Sequence, residues 1–377
     1  MDGAILQTRP EGEPAATRRA SYAPRLPGTS HEASDTTPMT PDPTALPVVP
    51  PAGRYLLTGA AGFIGGHLLG RLLDAGCTVL CADLAPPKVL PAGARFVRCD
   101  LTDRASVKAA LAGERLDYAV HLAAKVGDWG PRADFEAINV HGTRWALDGA
   151  LEAGARAVVH LSSIAAMGLD AGDHADETVP PIPAGEPYSA TKAAGERVAR
   201  ELQSAGAPVI VVRPGDVYGV GSVPWVVRPV QLLRSRQLVL VDGGRGHFAH
   251  THVDNLLDGV LAALGSPAAL GETFLVTDGD AHCTMGDYFR RLAAAVGAPT
   301  PRVSLPLPVA RGLAGVLEAG ARLVGATPPF TRVSVDFMCR RGSFSIEKAR
   351  TRLGYAPRVT LDAGLAAIGR HYQGGGV

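Results

Sequence analysis

Residues 54–66, RYLLTGAAGFIGG, limit what this chain can fold into more than any other stretch. A short apolar run, Tyr55-Leu56-Leu57, stops at Thr58. Glycines then fall at Gly59, Gly62 and Gly65, and a helical pattern continues through His67-Leu68-Leu69 to Leu72-Leu73. Strand, glycine turn and helix in that order predict the first unit of a dinucleotide-binding α/β fold. Glycine permits the tight turn and lets backbone N–H groups approach a pyrophosphate at the positive end of the helix. On this reading Gly59, Gly62, Phe63, Ile64 and Gly65 form the phosphate side of a cofactor site. The spacing is G-x-x-G-x-x-G, a departure from the commoner G-x-G-x-x-G, and a bare triplet is also what a tight loop would carry. The flanks decide in favour of the cofactor. Asp83 closes the next apolar run, Thr78-Val79-Leu80-Cys81-Ala82, where a carboxylate can accept both adenosine ribose hydroxyls.

The chain has 377 residues, enough for a large core and about two domains. Its net charge of +1 leaves no footprint for nucleic acid. Cys77, Cys81, Cys99, Cys283 and Cys339 are odd in number and lack C-x-x-C spacing, so they read as reduced, mostly buried thiols of a cytoplasmic protein. No apolar run is long enough to span a bilayer. Residues 1–51 are rich in Pro, Thr, Ser and Ala without periodicity and read as a disordered tail, with Met39 as an alternative start. Residues 52–276 read as the cofactor-binding domain, with about 220–240 contributing to the substrate side. Residues 277–372 read as a smaller, interleaved substrate domain.

From Arg54 onward, short apolar runs alternate with helical stretches. Residues 96–100, 118–122, 157–162 and 209–213 predict the third to sixth strands, with helices such as 106–112 and 143–153 between them. Such alternation predicts a doubly wound parallel sheet of the Rossmann type, with right-handed crossovers and ligands beyond the carboxyl ends of the strands. Asp83, Asp100, Ala123-Ala124, Ser162-Ser163 and Pro214-Gly215 all fall at such ends.

Tyr188-Ser189-Ala190-Thr191-Lys192 opens the helix between the fifth and sixth strands. Residues i and i+4 share a helix face, so Tyr188 and Lys192 point the same way. Alone, Y-x-x-x-K fits a solvated face. Here it lies beside the predicted crevice and follows Ser163 at a strand end.

TGAAGFIG, Asp100-Leu101, His121-Leu122-Ala123-Ala124, Asn139-Val140 with Gly142-Thr143, Ser162-Ser163, Tyr188…Lys192, Arg213-Pro214…Tyr218-Gly219 and Lys348-Ala349…Leu353-Gly354-Tyr355…Pro357 together resemble the extended short-chain dehydrogenase/reductase family over nearly all of 54–368. The resemblance implies Tyr188 as acid/base, Lys192 as its activator and a cofactor contact, Ser163 as the substrate-orienting hydroxyl and Asn139 as a positioning group. It further implies that Asp100 and Leu101 meet the adenine, that Leu122, Ala123 and Ala124 wall it, and that Pro214 to Val217 meets the nicotinamide. The chemistry is sufficient in magnitude without a metal. A tyrosine base near neutrality needs a shift of roughly 3 units, about 4 kcal/mol. One ammonium at ~4 Å in an effective dielectric of ~20 supplies about that. Asp83 would repel a 2′-phosphate, so NAD is expected rather than NADP.

Lys125-Val126-Gly127-Asp128-Trp129-Gly130-Pro131 and Arg213–Gly219 look most like the 3β-hydroxysteroid dehydrogenase branch. The resemblance implies oxidation of a secondary alcohol on a sterol-like or other lipid substrate, or the reverse ketone reduction. It also admits decarboxylating oxidation of a sterol acid and reduction of a β-keto acid. An NDP-sugar epimerase or dehydratase is the first alternative, with Arg228, Arg245 and Arg332 available for a pyrophosphate. Gly215-Asp216, where that branch commonly has Asn, weakens this alternative. A non-catalytic cofactor sensor is the third class, disfavoured by the intact Ser163, Tyr188 and Lys192. A homodimer through helices flanking the fourth and fifth strands is a family expectation.

Residues 305–324 form an apolar helix interrupted by Arg311, Glu318 and Arg322, either a core helix with a charged face or a lid resting peripherally on a bilayer. His247, His250 and His252 tempt a metal reading but resemble a strand leading into a helix capped by Asp254. Trp129 and Trp225 read as buried aromatics, and Glu177 as a solvated or loop-capping group.

Overall fold

The computed structural model describes residues 46–182, 185–279 and 282–375. Eleven strands are present among them: β1 Arg54–Thr58, β2 Thr78–Asp83, β3 Ala94–Arg98, β4 Tyr118–His121, β5 Ala157–Leu161, β6 Val209–Pro214, β7 Asp216–Tyr218, β8 Leu240–Val241, β9 His250–His252, β10 Thr273–Val276 and β11 Ser304–Leu305. The α-helices are α1 Phe63–Asp74, α2 Arg104–Leu111, α3 Arg132–Glu136, α4 Thr143–Glu152, α5 Pro187–Ser204, α6 Arg228–Arg234, α7 Val253–Gly265, α8 Met285–Ala295, α9 Leu307–Val324, α10 Arg332–Phe337, α11 Glu347–Leu353 and α12 Leu361–Gln373.

Seven strands form one parallel sheet in the order β10-β6-β5-β4-β1-β2-β3. Strands covered on both faces should be apolar throughout rather than alternating, and β5 and β6 are buried at every residue. Leu68, Leu69 and Leu72 of α1 and Leu256, Leu257 and Val260 of α7 cover one face. Val107, Ala110 and Leu111 of α2, Ala146, Leu147 and Ala150 of α4, and Ala199 of α5 cover the other. The order in which successive strands are added reverses between β1 and β4, which is where such folds open a ligand crevice. The predicted doubly wound sheet is therefore present.

Some boundaries differ from the sequence reading. The third strand lies two residues earlier than expected, because it is the half-exposed edge and its apolar pattern is diluted. β10, to which the sequence reading assigned no element, closes the opposite edge through its pairing with β6. The segment read as a tail lies outside the described residues up to 45. Its last part, 46–51, runs along the fold: Val48 N donates to Asp258 Oδ1 at 3.0 Å, and Pro51 O accepts from the Tyr55 hydroxyl at 2.6 Å. No helix among the described residues is long and apolar enough to cross a membrane.

Candidate active site

The glycine turn is tight for identifiable reasons. Gly59 has φ +72°, a region that favours glycine, and a Cβ there would lie 2.8 Å from Ala123 N. A Cβ on Gly65 would lie 2.1 Å from Gly59 O. The ends of β1 and β4 thus meet α1 with no side chain between them, leaving a concave cradle at the helix N-terminus. Gly62 caps α1 without a side-chain bond, so no capping side chain occupies the first-turn N–H groups at Phe63 and Ile64. Asp83 is held beside this turn, its carboxylate accepting from Ala61 N at 3.0 Å and Leu84 N at 2.7 Å. These residues fit a dinucleotide.

The residues expected to face an adenine are held mostly by local bonds. Asp100 Oδ1 accepts from Thr102 N at 2.8 Å and Thr102 Oγ1 at 2.7 Å, and these bonds hold its carboxyl below the usual range. Leu101 is buried, and its backbone and Cβ come so close to Gly142 that a Cβ there would sit 2.8 Å from Leu101 O. Leu122, Ala123 and Ala124 leave β4 half-buried, with Ala123 N bonded to Thr58 Oγ1 at 3.3 Å. Pro214 is buried at the end of β6, and Val217 packs on the core from β7.

Tyr188 stands in the first turn of α5. Glu186 caps that turn, accepting from Tyr188 N at 2.7 Å and Ser189 N at 2.6 Å. Ser163 ends the segment after β5 and caps the short 3₁₀ turn Ile164–Met167. Burial pushes the Tyr188 phenol up to about 12. A hydrogen bond with Ser163 pulls against that, and the Glu186 and Asp216 carboxylates add to it. Lys192 is buried one turn on, its Nζ donating to Leu161 O at 2.6 Å, and burial lowers its pKa to about 8 despite the Glu196 carboxylate. In the chain alone the phenol is thus raised, and Lys192, one turn on along the same helix face, reaches β5, where its ammonium donates to the strand's last carbonyl.

Asn139 lies in a π-helical turn, Ala137–Gly142, and is buried. Its Oδ1 accepts from Lys125 N at 2.8 Å, while Nδ2 donates to Lys125 O and Thr191 Oγ1, both at 3.0 Å. It ties the loop after β4 to α5 and acts as a positioning residue.

Three arrangements escaped the sequence reading. Glu196 continues the Tyr188–Lys192 face by another turn and is fully buried. It receives Arg213 Nε at 2.9 Å and Nη2 at 2.7 Å, Ser162 Oγ at 2.7 Å and Arg200 Nε at 2.8 Å. The i, i+4, i+8 spacing was the signal that could have found it. Asp216 and Arg340 form a buried ion pair at 2.5 Å, with Phe337 and Phe344 stacked about the guanidinium. Their separation of 124 residues left no local signal. Finally, His121 bridges Thr58 Oγ1 at 2.8 Å and Thr143 Oγ1 at 3.1 Å, stacked on His160. Burial and then Lys192 lower His121 to about 3, so it is neutral.

A cavity of about 540 Å³ opens beside Pro187, the residue before Tyr188. It is lined by Trp129, Arg311, Glu318, Arg322 and Arg332 among others. Thr331 Oγ1 donates to Asp128 Oδ2 at 2.6 Å, tying the 125–131 loop to the start of α10.

The model of the NAD dependent epimerase/dehydratase family matches residues 55–276. The chain belongs to that family. It is an oxidoreductase of that NAD dependent family, and several curated relatives carry reductase or dehydrogenase names. The Stigmatella aurantiaca 4-hydroxy-2-methyl-3-oxo-4-farnesyl-3,4-dihydroquinoline-1-oxide ketoreductase is 31% identical over 84% of this chain and 95% of its own. The 2-alkyl-3-oxoalkanoate reductase of Stenotrophomonas maltophilia is 31% identical over 84% of this chain and 98% of its own. A 3 beta-hydroxysteroid dehydrogenase/Delta 5-->4-isomerase of Mycobacterium tuberculosis is 28% identical over 85% and 90%. Among solved structures, the UDP-glucose 4-epimerase of Thermotoga maritima shares the fold with a TM-score of 0.70 at 22% identity, covering 85% of this chain and 99% of that one.

The residues that tempted other readings have local duties. His252, not Asp254, caps α7, its Nδ1 accepting from Asp254 N at 3.2 Å, because His252 immediately precedes the helix whereas Asp254 is already its second residue. No group of three metal-ligating side chains gathers among the described residues. Glu177 accepts from Leu275 N at 2.7 Å and steadies β10. Trp225 packs against Phe248 and Phe337, and Trp129 lies beneath Arg322.

Proposed function

We propose that this protein interconverts a ketone and a secondary alcohol on a lipid-like substrate, sterol-like or alkyl-bearing, with ketone reduction as the working direction. The observation that carries this reading is the hydrogen bond between the Tyr188 phenol and the Ser163 hydroxyl just beyond the carboxyl end of β5, with Pro187, the residue before Tyr188, in the wall of the cavity. When bound, the nicotinamide supplies or accepts the hydride. Ser163 donates to the substrate oxygen and orients it. Tyr188 gives its proton to that oxygen as the carbonyl carbon is reduced, or takes it back in the oxidation. A phenol pushed up to about 12 holds its proton at neutral pH, which suits the donor role in reduction. Lys192 supplies a buried positive charge one turn away, and Asn139 keeps the 125–131 loop and α5 in register.

The substrate class follows from what the cavity lacks. A nucleotide sugar needs free cations for its pyrophosphate. Arg332 is engaged by Glu318 at 2.9 Å, Arg322 lies 3.6 Å from the same carboxylate, and Arg311 lies 3.4 Å from Asp336. Arg228 donates to Pro329 O and Arg245 to Asp242. With these arginines engaged, a neutral or weakly polar substrate fits better, and the names of two relatives, a ketoreductase and a 2-alkyl-3-oxoalkanoate reductase, support it. We further propose NAD over NADP, from Asp83 at the ribose position, and a homodimer through α4 and α5. Light scattering tests the dimer.

The function is tested by incubating purified protein with NADH or NADPH and two panels, alkyl and steroid ketones and nucleotide sugars, following nicotinamide absorbance and products. Ketone-dependent NADH oxidation, lost in Tyr188→Phe with cofactor binding retained, is the expected result. Conversion of a sugar without net NADH change would refute the lipid reading.

A further inference from the structure

Two ion pairs among the described residues are closed off from solvent on both sides, Arg213 with Glu196 and Arg340 with Asp216. They are built differently. Arg213 gives Nε and Nη2 to Glu196 and Nη1 to Val179 O, so every part of its guanidinium is bonded. Arg340 reaches Asp216 Oδ2 at 2.5 Å and His247 O at 3.2 Å through Nη2 alone, while its buried Nε and Nη1 have no partner among the described residues. Phe337 and Phe344 flank it, their ring centres 4.5 and 5.9 Å from the guanidinium carbon. Desolvation of both charges outweighs so sparse a set of bonds, which makes this pair a poor brace. Its place in the fold suggests another duty.

β5 and β6 run in register to Leu161 and Val212, and Ser162 N donates to Val212 O at 2.8 Å. The chain beyond the two strands therefore leaves side by side, Ser163 into its 3₁₀ turn and Pro214-Gly215 into Asp216. Asp216 grips Ala249 twice: its N donates to Ala249 O at 2.6 Å, and its Oδ2 accepts from Ala249 N at 3.0 Å. Ala249 packs in one cluster with Ile164 and Met167 of the Ser163 turn, Ala175 and Phe344. The segment that carries Arg340 is tied to the same cluster, Ser343 O accepting from Ala175 N and Ala175 O from Ser345 N, both at 2.9 Å. The ion pair is thus built into the packing behind the Ser163 turn. The charged and titratable groups about the phenol are Ser163, Glu186, Asp216 and, one turn on, Lys192, and both carboxylates raise it. Against the pair lie His247, kept neutral by burial, and Tyr288, kept protonated by burial.

We infer that Asp216 and Arg340 are positioning residues for the Ser163–Tyr188 donor pair: together they seat the Ser163 turn and set a partly balanced charge beside the phenol. The two charges act in opposite senses. An unpaired carboxylate opposes the phenolate, and an unpaired guanidinium favours it. Asp216 has the stronger hold, because it grips Ala249 directly whereas Arg340 reaches the turn through it. With the pair intact the phenol keeps its proton and has it to give. That donor role rests on the proposed function, whereas the pair's hold on the phenol rests on the packing and bonds alone.

The test is carbon NMR of the full chain with tyrosine isotope-labelled at Cζ, at about pH 10, just below the range where a buried phenol ionises. The Tyr188 signal is identified by its loss in Tyr188→Phe, and its shift reads the ionised fraction. Wild type is compared with Asp216→Asn and with the double variant Asp216→Asn, Arg340→Met. Asn keeps an acceptor for Ala249 N and leaves Arg340 unpaired, whereas the double variant removes both charges together, the replacement that folds tolerate best. The ionised fraction is expected to rise roughly tenfold in Asp216→Asn and to fall between that value and wild type in the double variant. An unchanged fraction in Asp216→Asn, or a double variant that matches or exceeds it, would overturn the inference, since lost packing alone moves both variants alike. Should circular dichroism show Asp216→Asn unfolded, the double variant decides alone: a rise of about twofold or more over wild type supports the inference, and no rise overturns it. Fractions in the expected order without reduction of any ketone would sink the functional reading and leave the charge pair standing.

Discussion

Replacing Lys192 with Met removes a charge that the fold holds at a cost, and the cost has a pH signature. Burial lowers the Lys192 pKa from 10.5 to about 8. At 1.36 kcal/mol per unit, the charged form is disfavoured in the folded chain by about 3 kcal/mol relative to the unfolded one. Below about pH 8 both states carry the proton and the whole penalty is present. Between the two values the unfolded chain binds the extra proton, so stability rises with pH across that window. Other groups titrate there too, among them buried tyrosines and cysteines, but they are common to wild type and Lys192→Met. The stability difference between the two proteins isolates Lys192. It should move in favour of wild type by about 2 kcal/mol between about pH 7.5 and about pH 10. Urea unfolding at several pH values in that range measures it. At neutral pH the variant also loses the bond to Leu161 O, which offsets part of the relief. A difference independent of pH would refute the burial of the ammonium and, with it, the strand-end position assigned to it. The variant should retain its fold and lose ketone reduction.

Three further perturbations test the surrounding frame. Glu196→Gln leaves the fully buried Arg213 without its counter-charge and should cost about 3–5 kcal/mol in urea unfolding; a loss under 1 kcal/mol would refute the buried pair as a structural brace. Gly65→Ala places a Cβ 2.1 Å from Gly59 O, so the turn must open, and NADH affinity by fluorescence titration should fall roughly tenfold or more. Asp83→Ser removes the carboxylate at the end of β2 while keeping Arg98, whose Nη1 donates to Leu84 O at 2.9 Å. The ratio of NADPH to NADH turnover should rise at least about tenfold, and an unchanged ratio would remove Asp83 from cofactor choice.

Much of the site was legible because it is written in short-range patterns. The glycine turn, the strand-end positions of Asp83, Ser163 and Pro214, and the common face of Tyr188 and Lys192 each depend on residues within a few positions of one another. Where reading stopped short, a partner was distant. Glu196 looks like one more surface glutamate on α5 until β6 brings Arg213 beneath it. Asn139 sits in a π-turn whose role appears only once the 125–131 loop folds back on it. β10 is four residues long, too short a run to stand out in the sequence before it pairs with β6.

The chain's own order of residues thus determined the parallel sheet, the dinucleotide cradle and which side chains α5 turns toward the crevice. Those follow from backbone sterics and from the 3.6- and 2-residue periods, which act locally. Tertiary structure alone decided the electrostatics. It seated the Lys192 ammonium on Leu161 O, joined Asp216 to Arg340, and divided α9 into a face that hides Glu318 and a face that hides nothing. Burial and charge pairing depend on what the rest of the chain lays against a group, and no local pattern contains that information.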